Sequence, residues 1–164
     1  MMVYEALIQQ VPTVNIPLLL EKLSLRLGVK LSDIPKRNSV EQMARELGVI
    51  STIQVAEIAM ETNNLTLGFD ATTQEGAHVN SIHFTTVDKC VVVAIDELAG
   101  GTADDYGRHV FDELALAYSD FHNIDYQDCR KTIISNISNT MTDRVVVNHA
   151  TIELIKQKWA TDLN

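Results

Sequence analysis

The stretch LTLGFDATT, residues 65–73, decides the fold of this chain because it predicts a buried strand that ends in a carboxylate. Between Leu65 and Phe69 only Thr66 has a side chain that can form a hydrogen bond, and such an apolar run suits the interior of a sheet. Asp70 follows directly. Because an unpaired charge is costly to bury, this carboxylate must either reach solvent at the strand end or bind a partner. Asp70 is therefore a candidate metal ligand.

Two further strands are predicted downstream. The segment HVNSIHFTT, residues 78–86, alternates apolar and polar positions imperfectly, and the β-branched run CVVVAI, residues 90–95, is typical of a fully covered strand. Turns at residues 74–76 and 87–89 separate the three strands. Since short turns join antiparallel neighbours, this region predicts a three-stranded antiparallel meander, which residues 96–101 end.

The rest of the chain predicts two helices, a short strand and a last helix. Thr102 and Asp105 have capping-box spacing, and the helix that they open has an apolar stripe that can cover one sheet face. Residues 124–137 then predict a helix, residues 139–142 a brief strand, and residues 145–159 a final helix. The stripe consists of Tyr106, Val110, Leu114, Ala117 and Phe121.

Residues 1–64 predict a helical lead-in, which we separate from a strand-rich domain at residues 65–164. One helix ends at Gly28, and a second begins after residues 32–37, with Asn38 or Ser39 as its cap. Gly48 is a candidate kink or break in this second helix. A polar pair at residues 63–64 ends the helical pattern.

The charge of the chain disfavours nucleic acid as a partner. Of the formal net charge of −9, residues 65–164 carry −8, with 7 basic and 15 acidic residues. An acidic surface repels phosphate backbones, so the chain would bind DNA only if a metal ion or a basic partner reversed the local field. Most of these acidic residues are expected simply to keep the surface solvated.

Cysteine and histidine spacing predicts no further metal site. Cys90 and Cys129 stand 39 residues apart with no CxxC pair, which argues against structural zinc, and Cys90 is expected to be a small buried side chain. His78 and His83 are five positions apart on one strand, so they should face opposite sides of the sheet and make poor metal co-ligands.

The sequence shows neither a secretion signal nor a membrane span. The first ten residues lack a basic segment followed by a long apolar one, and the longest apolar run has six residues. Together with the cysteine usage, this predicts a reducing compartment, the cytoplasm or the nucleus.

The predicted order of elements is that of the beginning of an RNase H-like α/β fold, in which the first and fourth strands are neighbours. Asp70 at the end of the first strand and Asp143 at the end of the fourth would then converge. Two nearby carboxylates repel each other unless a cation lies between them, and their hard oxygen atoms suit Mg²⁺ or Mn²⁺. Alternatively, Asp143 only caps the helix that starts at Arg144.

Five blocks of the sequence resemble a group of transposase-like proteins, abundant in animal genomes, whose cores resemble those of RNase H-like DDE transposases. The most specific blocks contain FDATT and NTMTDR; the family tends to have D-G-T-T or D-E-T-T at the first, so Ala71 departs from the pattern. The resemblance implies that Asp70 and Asp143 are the first two acidic metal ligands for DNA strand cleavage and transfer, and it implies a nuclear protein. The blocks are VNIPLLLEKL, DIPKRNSVEQM, STIQVAEIA, LTLGFDATTQEG and ISNISNTMTDRVVVNH.

The resemblance also implies an incomplete core. Members of the family continue into a further strand and a later helix that carries the third acidic ligand, whereas Glu153 lies inside the predicted last helix and is not expected to reach the site. We therefore expect a truncated core that is catalytically incomplete and inactive alone. Two alternatives are a non-catalytic interaction module, whose open sheet edge binds a partner or a second copy, and an unrelated α/β domain without a metal site.

Overall fold

The structure is a computed structural model that describes residues 2–74, 77–97, 108–142, 152–154, 156–157 and 160–161. The chain divides into two compact units, Met1–Ser51 and Thr52–Asn164. The division falls within a long helix, and the change from helices to strands follows Asn64, as the polar pair at residues 63–64 predicts. No helix in the described ranges is both long and apolar enough to cross a membrane.

The first unit consists of helices. It contains α1 (Met2–Ile8), a 3-10 turn (Thr13–Asn15), α2 (Ile16–Leu27) and the first part of α3 (Arg37–Glu61). Gly28 ends α2 as predicted, with a φ of 63° and its N–H donated to the carbonyl oxygen of Ser24. The core of this unit is formed by Val3, Ile16, Leu20 and Val40.

Two predictions about α3 are wrong. The helix begins at Arg37, so Asn38 and Ser39 lie inside its first turn and do not cap it. The N–H of Val40 donates to the carbonyl oxygen of Lys36 at 3.1 Å, which starts the helical pattern directly after Pro35 and Lys36. Of the kink or break predicted at Gly48, the break is wrong: the helix runs through this residue, because one glycine costs only about 1 kcal/mol in a helix of 25 residues.

The second unit contains an open four-stranded mixed sheet with the order β3-β2-β1-β4. Its strands are β1 (Leu65–Gln74), β2 (Ala77–Thr85), β3 (Cys90–Glu97) and β4 (Ile137–Thr142). The pairs β1–β2 and β2–β3 are antiparallel, whereas β4 lies parallel to β1. The structure therefore confirms a mixed α/β fold with the predicted meander and with the fourth strand beside the first, although β4 starts two residues earlier than predicted.

One face of the sheet forms the core of the second unit together with the helices. β1 contributes Leu65, Leu67 and Phe69, and β2 contributes Ile82 and Phe84. The period of two in β1 is that of a strand with a single buried face, so its apolar run packs as predicted. The helices add Val55, Ala56, Ala59, Phe111, Leu114, Ala115, Cys129, Ile133, Ile134 and Ile152.

The prediction that β3 is covered on both faces is wrong. Cys90 is exposed, and Val92 is 51% exposed. Within the described part of the chain β3 pairs with β2 alone and lies at the edge of the sheet. Val92 is the register partner of His83, on the face opposite the core, whereas Val91, Val93 and Ala94 pack against the core. The strand also continues to Glu97, beyond the predicted break.

The helix that follows is out of phase with its predicted stripe. A π-helical segment (Arg108–Glu113) leads into α4 (Leu114–His122), while residues 98–107, which include the predicted cap, lie outside the described residues. Phe111, Leu114 and Ala115 are buried, but Phe121 is 61% exposed. Within α4 the buried residues are Leu114, Ala115 and Ser119, so Phe121, near the end of the helix, lies off the buried stripe.

The next helix, α5 (Tyr126–Asn136), lies within the predicted range. Asp125 caps it by accepting hydrogen bonds from the N–H groups of Gln127 and Asp128. Of the predicted last helix, residues 145–151, 155, 158 and 159 lie outside the described residues. The described residues 152–154, 156 and 157 are helical, and Ile152 is buried.

Candidate functional site

The candidate site is defined by the register between β1 and β4. Phe69 pairs with Thr142, which is the last described pair, and Gly68 pairs with Met141. Asp70 continues β1 and pairs with Ser81 of β2, and the structure describes its backbone but not its side chain. Asp143 follows Thr142 in the sequence and lies outside the described residues.

A bulge at the start of β4 sets this register. Leu65 pairs with Ile137, but Thr66 pairs with Asn139, so Ser138 is an extra residue on β4. The Ser138 hydroxyl donates a hydrogen bond of 3.0 Å to Oδ1 of Asn64, directly before β1. Without the extra residue every later pair would shift by one position, and Phe69 would pair with Met141 instead of Thr142.

A buried amide links the start of β4 to the end of α3. Nδ2 of Asn136 donates to the carbonyl oxygens of Ala59 and Met60, both at 3.0 Å. The last carbonyls of a helix have no partner within it, so Asn136 satisfies two groups that would otherwise be unpaired. The strand β4 therefore starts at a fixed point relative to the chain that enters β1.

On the sheet face opposite the core, His83 covers Gly68. The two residues are register partners, and the imidazole ring occupies the position that a Cβ atom on Gly68 would take. Gly68 is thus the residue that allows the half-buried ring of His83 to lie against β1. This contact was not predicted from the sequence. The side chain of His78, the predicted counterpart of His83, lies outside the described residues.

A metal site is not visible in the described part of the chain. Among those residues, no group of three or more histidine, cysteine, aspartate or glutamate side chains could hold a metal ion. Glu153 accepts a 2.8 Å hydrogen bond from Nζ of Lys156, three residues along the same helix. The carboxylates of the two predicted ligands, Asp70 and Asp143, lie outside the described part of the chain.

A polar cluster between α5 and the π-helical segment was also not predicted from the sequence. The Tyr126 hydroxyl and Nε of Arg130 both donate to Oδ1 of Asp112, at 3.1 and 2.9 Å. Burial, followed by the hydrogen bond to Asp112, raises the pKa of Tyr126. Tyr126 and Asp112 also line a cleft of about 440 Å³ with Glu113 and Leu116. Only the spacing of Tyr126 and Arg130, four positions apart, hinted at a shared partner.

No protein-family model, curated protein or solved structure matches this chain. The resemblance to transposases therefore stays a prediction.

Proposed function

We propose that the second unit is an RNase H-like core related to those of DDE transposases, with Asp70 and Asp143 as the first two ligands of a divalent metal ion. The observation that carries this proposal is the parallel pairing of β1 with β4 up to Phe69 and Thr142. One residue beyond this last pair, each strand sequence continues with an aspartate.

The strand order supports the same assignment. An antiparallel meander whose first strand also pairs in parallel with a later strand is the arrangement expected at the beginning of an RNase H-like fold. A parallel neighbour needs a crossover connection, and here helices α4 and α5 lie between β3 and β4. In such sheets, functional groups at the carboxyl ends of neighbouring parallel strands come close together.

Mg²⁺ or Mn²⁺ would be held by the oxygen atoms of Asp70 and Asp143. When bound, the ion would activate the attacking oxygen and stabilise the leaving oxygen of a phosphoryl transfer on DNA. It would also offset the like charges of the two carboxylates and reduce the repulsion between this acidic unit and a phosphate backbone. A location in the nucleus follows from this function.

The carboxylates of Asp70 and Asp143 can bind a metal ion, but two acidic ligands are too few for catalysis. A DDE site uses three acidic ligands, and Glu153 is paired with Lys156 on an exposed helix surface. We therefore expect that this chain binds the ion and that strand cleavage needs a third acidic residue.

Thermal unfolding with and without Mg²⁺ or Mn²⁺ tests the proposal. At a concentration about 100 times Kd, a ligand that binds only the folded state stabilises it by about 2.7 kcal/mol. We expect the metal to raise the Tm of the unaltered chain and of Asp120→Asn, a control on the exposed surface of α4. Asp70→Asn and Asp143→Asn should each abolish the increase.

An unaltered chain whose Tm does not respond to either metal would overturn the proposal. So would an equal increase in all four proteins, because the ion would then bind elsewhere. A chain that does not respond to either metal would favour the alternative of an α/β domain without a metal site.

A further inference from the structure

We propose that the exposed side of α2 binds an acidic amphipathic helix of a partner protein. Seven of the twelve residues of α2 are leucine or isoleucine, yet only Ile16 and Leu20 are buried. A helix that is apolar all round is normally buried on all sides. The remaining five side chains are between 37% and 76% exposed, and they are Leu18, Leu19, Leu23, Leu25 and Leu27. This inference goes beyond the proposed function and uses neither Asp70 nor Asp143.

Two cations lie in the middle of this leucine surface. Residues three or four positions apart are neighbours on a helix, and at these spacings Lys22 has Arg26 and three leucines as neighbours. The three leucines are Leu18, Leu19 and Leu25. Both cations are exposed, and among the residues that the structure describes neither takes part in an ion pair. A partner that covers the leucines must therefore also supply acidic groups for Lys22 and Arg26.

The position of the cations argues against a second copy as the partner. In a two-fold symmetric dimer the same surface of both copies meets, so Lys22 and Arg26 of one copy would face the same two residues of the other. Glu21, the only acidic residue of α2, lies on the far side of Leu18 and Leu25 from the cations and does not separate them. Like charges that are brought together away from water repel each other strongly.

The same position argues against a membrane surface as the partner. A helix that lies on a membrane carries its basic residues on the face opposite its apolar one. In α2 leucines lie on both sides of the cations, and insertion of these leucines would carry Lys22 and Arg26 toward the hydrocarbon. An acidic protein helix, in contrast, covers the leucines with its own apolar side chains and pairs its carboxylates with the cations.

The length of α2 limits the complex to a reversible one. Its twelve residues span about 18 Å. One helix laid along this length buries less area than a permanent interface needs. Burial of the leucines supplies the affinity, and Lys22 and Arg26 supply the selectivity for an acidic partner.

Fluorescence anisotropy with two labelled synthetic peptides tests the proposal on the whole chain. Both peptides are helices with leucines along one face; glutamates flank these leucines in one peptide and lysines in the other. We expect the chain to bind the glutamate peptide at least about tenfold more tightly than the lysine peptide. Since the chain has a net charge of −9, unspecific attraction would give the opposite preference.

A pair of leucine variants tests the place of binding. Leu18→Ser, at a 51% exposed position, should weaken binding of the glutamate peptide about tenfold, because less apolar surface is covered. Leu116→Ser is the matched control, at a 52% exposed position on α4, and should leave the binding unchanged. Equal effects of the two substitutions would show that the peptide does not bind to α2.

A charge reversal tests the role of the two cations. Lys22→Glu together with Arg26→Glu should invert the preference, so that the lysine peptide binds more tightly, and this gain of binding cannot result from a loss of folding. Lys89→Glu together with Lys131→Glu changes the net charge equally at two exposed positions outside α2 and should keep the preference of the parent chain.

A parent chain that does not bind the glutamate peptide, or that binds the lysine peptide as tightly, would overturn the proposal. Binding to phosphatidylserine vesicles in place of the peptide would identify a membrane as the partner instead. Self-association of the chain in sedimentation velocity, abolished by Leu18→Ser, would identify a second copy. The metal-binding test does not depend on these results.

Discussion

Asn136 donates a hydrogen bond from its side-chain amide to the carbonyl oxygen of Ala59, although the two residues are 77 positions apart in the sequence. Both residues are buried. The bond joins the last turn of α3 to the junction where α5 passes into β4 without a loop. Since α3 leads into β1, this contact helps to fix where two neighbouring parallel strands begin.

Asn136→Ala should lower the free energy of unfolding by about 2 kcal/mol, because it leaves the carbonyl oxygens of Ala59 and Met60 without this donor. Urea unfolding measures the change. The matched control is Asn139→Ala, at an exposed position three residues along the chain, which should change the stability by less than about 0.5 kcal/mol. Equal effects of the two substitutions would show that the buried amide has no special role.

Gly68→Ala and Gly48→Ala should change stability in opposite directions. A Cβ atom on Gly68 would overlap the imidazole ring of His83, so the ring must move, at a cost of about 1–2 kcal/mol. A Cβ atom on Gly48 meets no atom within 4 Å, and alanine is the better helix former by about 1 kcal/mol. Chemical denaturation compares the two variants.

A double-variant cycle identifies the cause of the Gly68 effect. If the ring is responsible, Gly68→Ala should cost less in a His83→Ala background than in the parent chain. An unchanged cost would mean that the strain arises in the backbone of β1.

Alkaline pH should weaken the cluster around Tyr126. The pKa of Tyr126 is raised above 10.0, mainly by burial and then by its hydrogen bond to Asp112. The folded state therefore holds this proton more tightly than the unfolded state, and the stabilisation is complete below pH 10 and is lost as the pH rises through the folded-state pKa. We expect the free energy of unfolding to fall from about pH 10 upward.

Tyr126→Phe should remove part of that pH dependence and cost about 1 kcal/mol at neutral pH through the lost hydrogen bond. Tyr4→Phe, in the first unit, is the comparison. The Tyr4 hydroxyl donates a hydrogen bond to Glu46, and this bond is the main reason that the pKa of Tyr4 is also raised. Fluorescence-detected unfolding at a series of pH values would measure the free energy of unfolding at neutral pH and its dependence on pH for both variants. If Tyr126→Phe retains the full dependence, other groups are responsible.

The two cysteines should differ in reactivity toward a thiol reagent. Cys90 is exposed at the start of β3, whereas Cys129 is buried, and burial together with Asp125 and Asp128 raises the pKa of its thiol. We expect one thiol to react rapidly in the native chain and the second only on unfolding. Cys90→Ser should remove the rapid phase, and a rapid phase that persists in this variant would contradict the assignment.

Local patterns predicted most of the elements of this chain. The apolar run from Leu65, the turns between the strands and the spacing of Cys129, Ile133 and Ile137 each depend on neighbours that are close in the sequence. The helix stop at Gly28 is local as well, because it requires only a positive φ at one residue. The candidate pair of Asp70 and Asp143 came from the predicted order of elements and from a resemblance, and it stays a prediction.

The sequence by itself determined where the strands form and which face of β1 is apolar, because period and composition act within a few residues. Only the tertiary structure decided that β3 lies at the edge of the described sheet, that a bulge at Ser138 sets the register of β4, and that His83 covers Gly68. The physical reason is that exposure and register depend on contacts between residues far apart in the chain. The run CVVVAI has the composition of a covered strand, yet the exposure of each of its side chains depends on what packs against that face of the sheet.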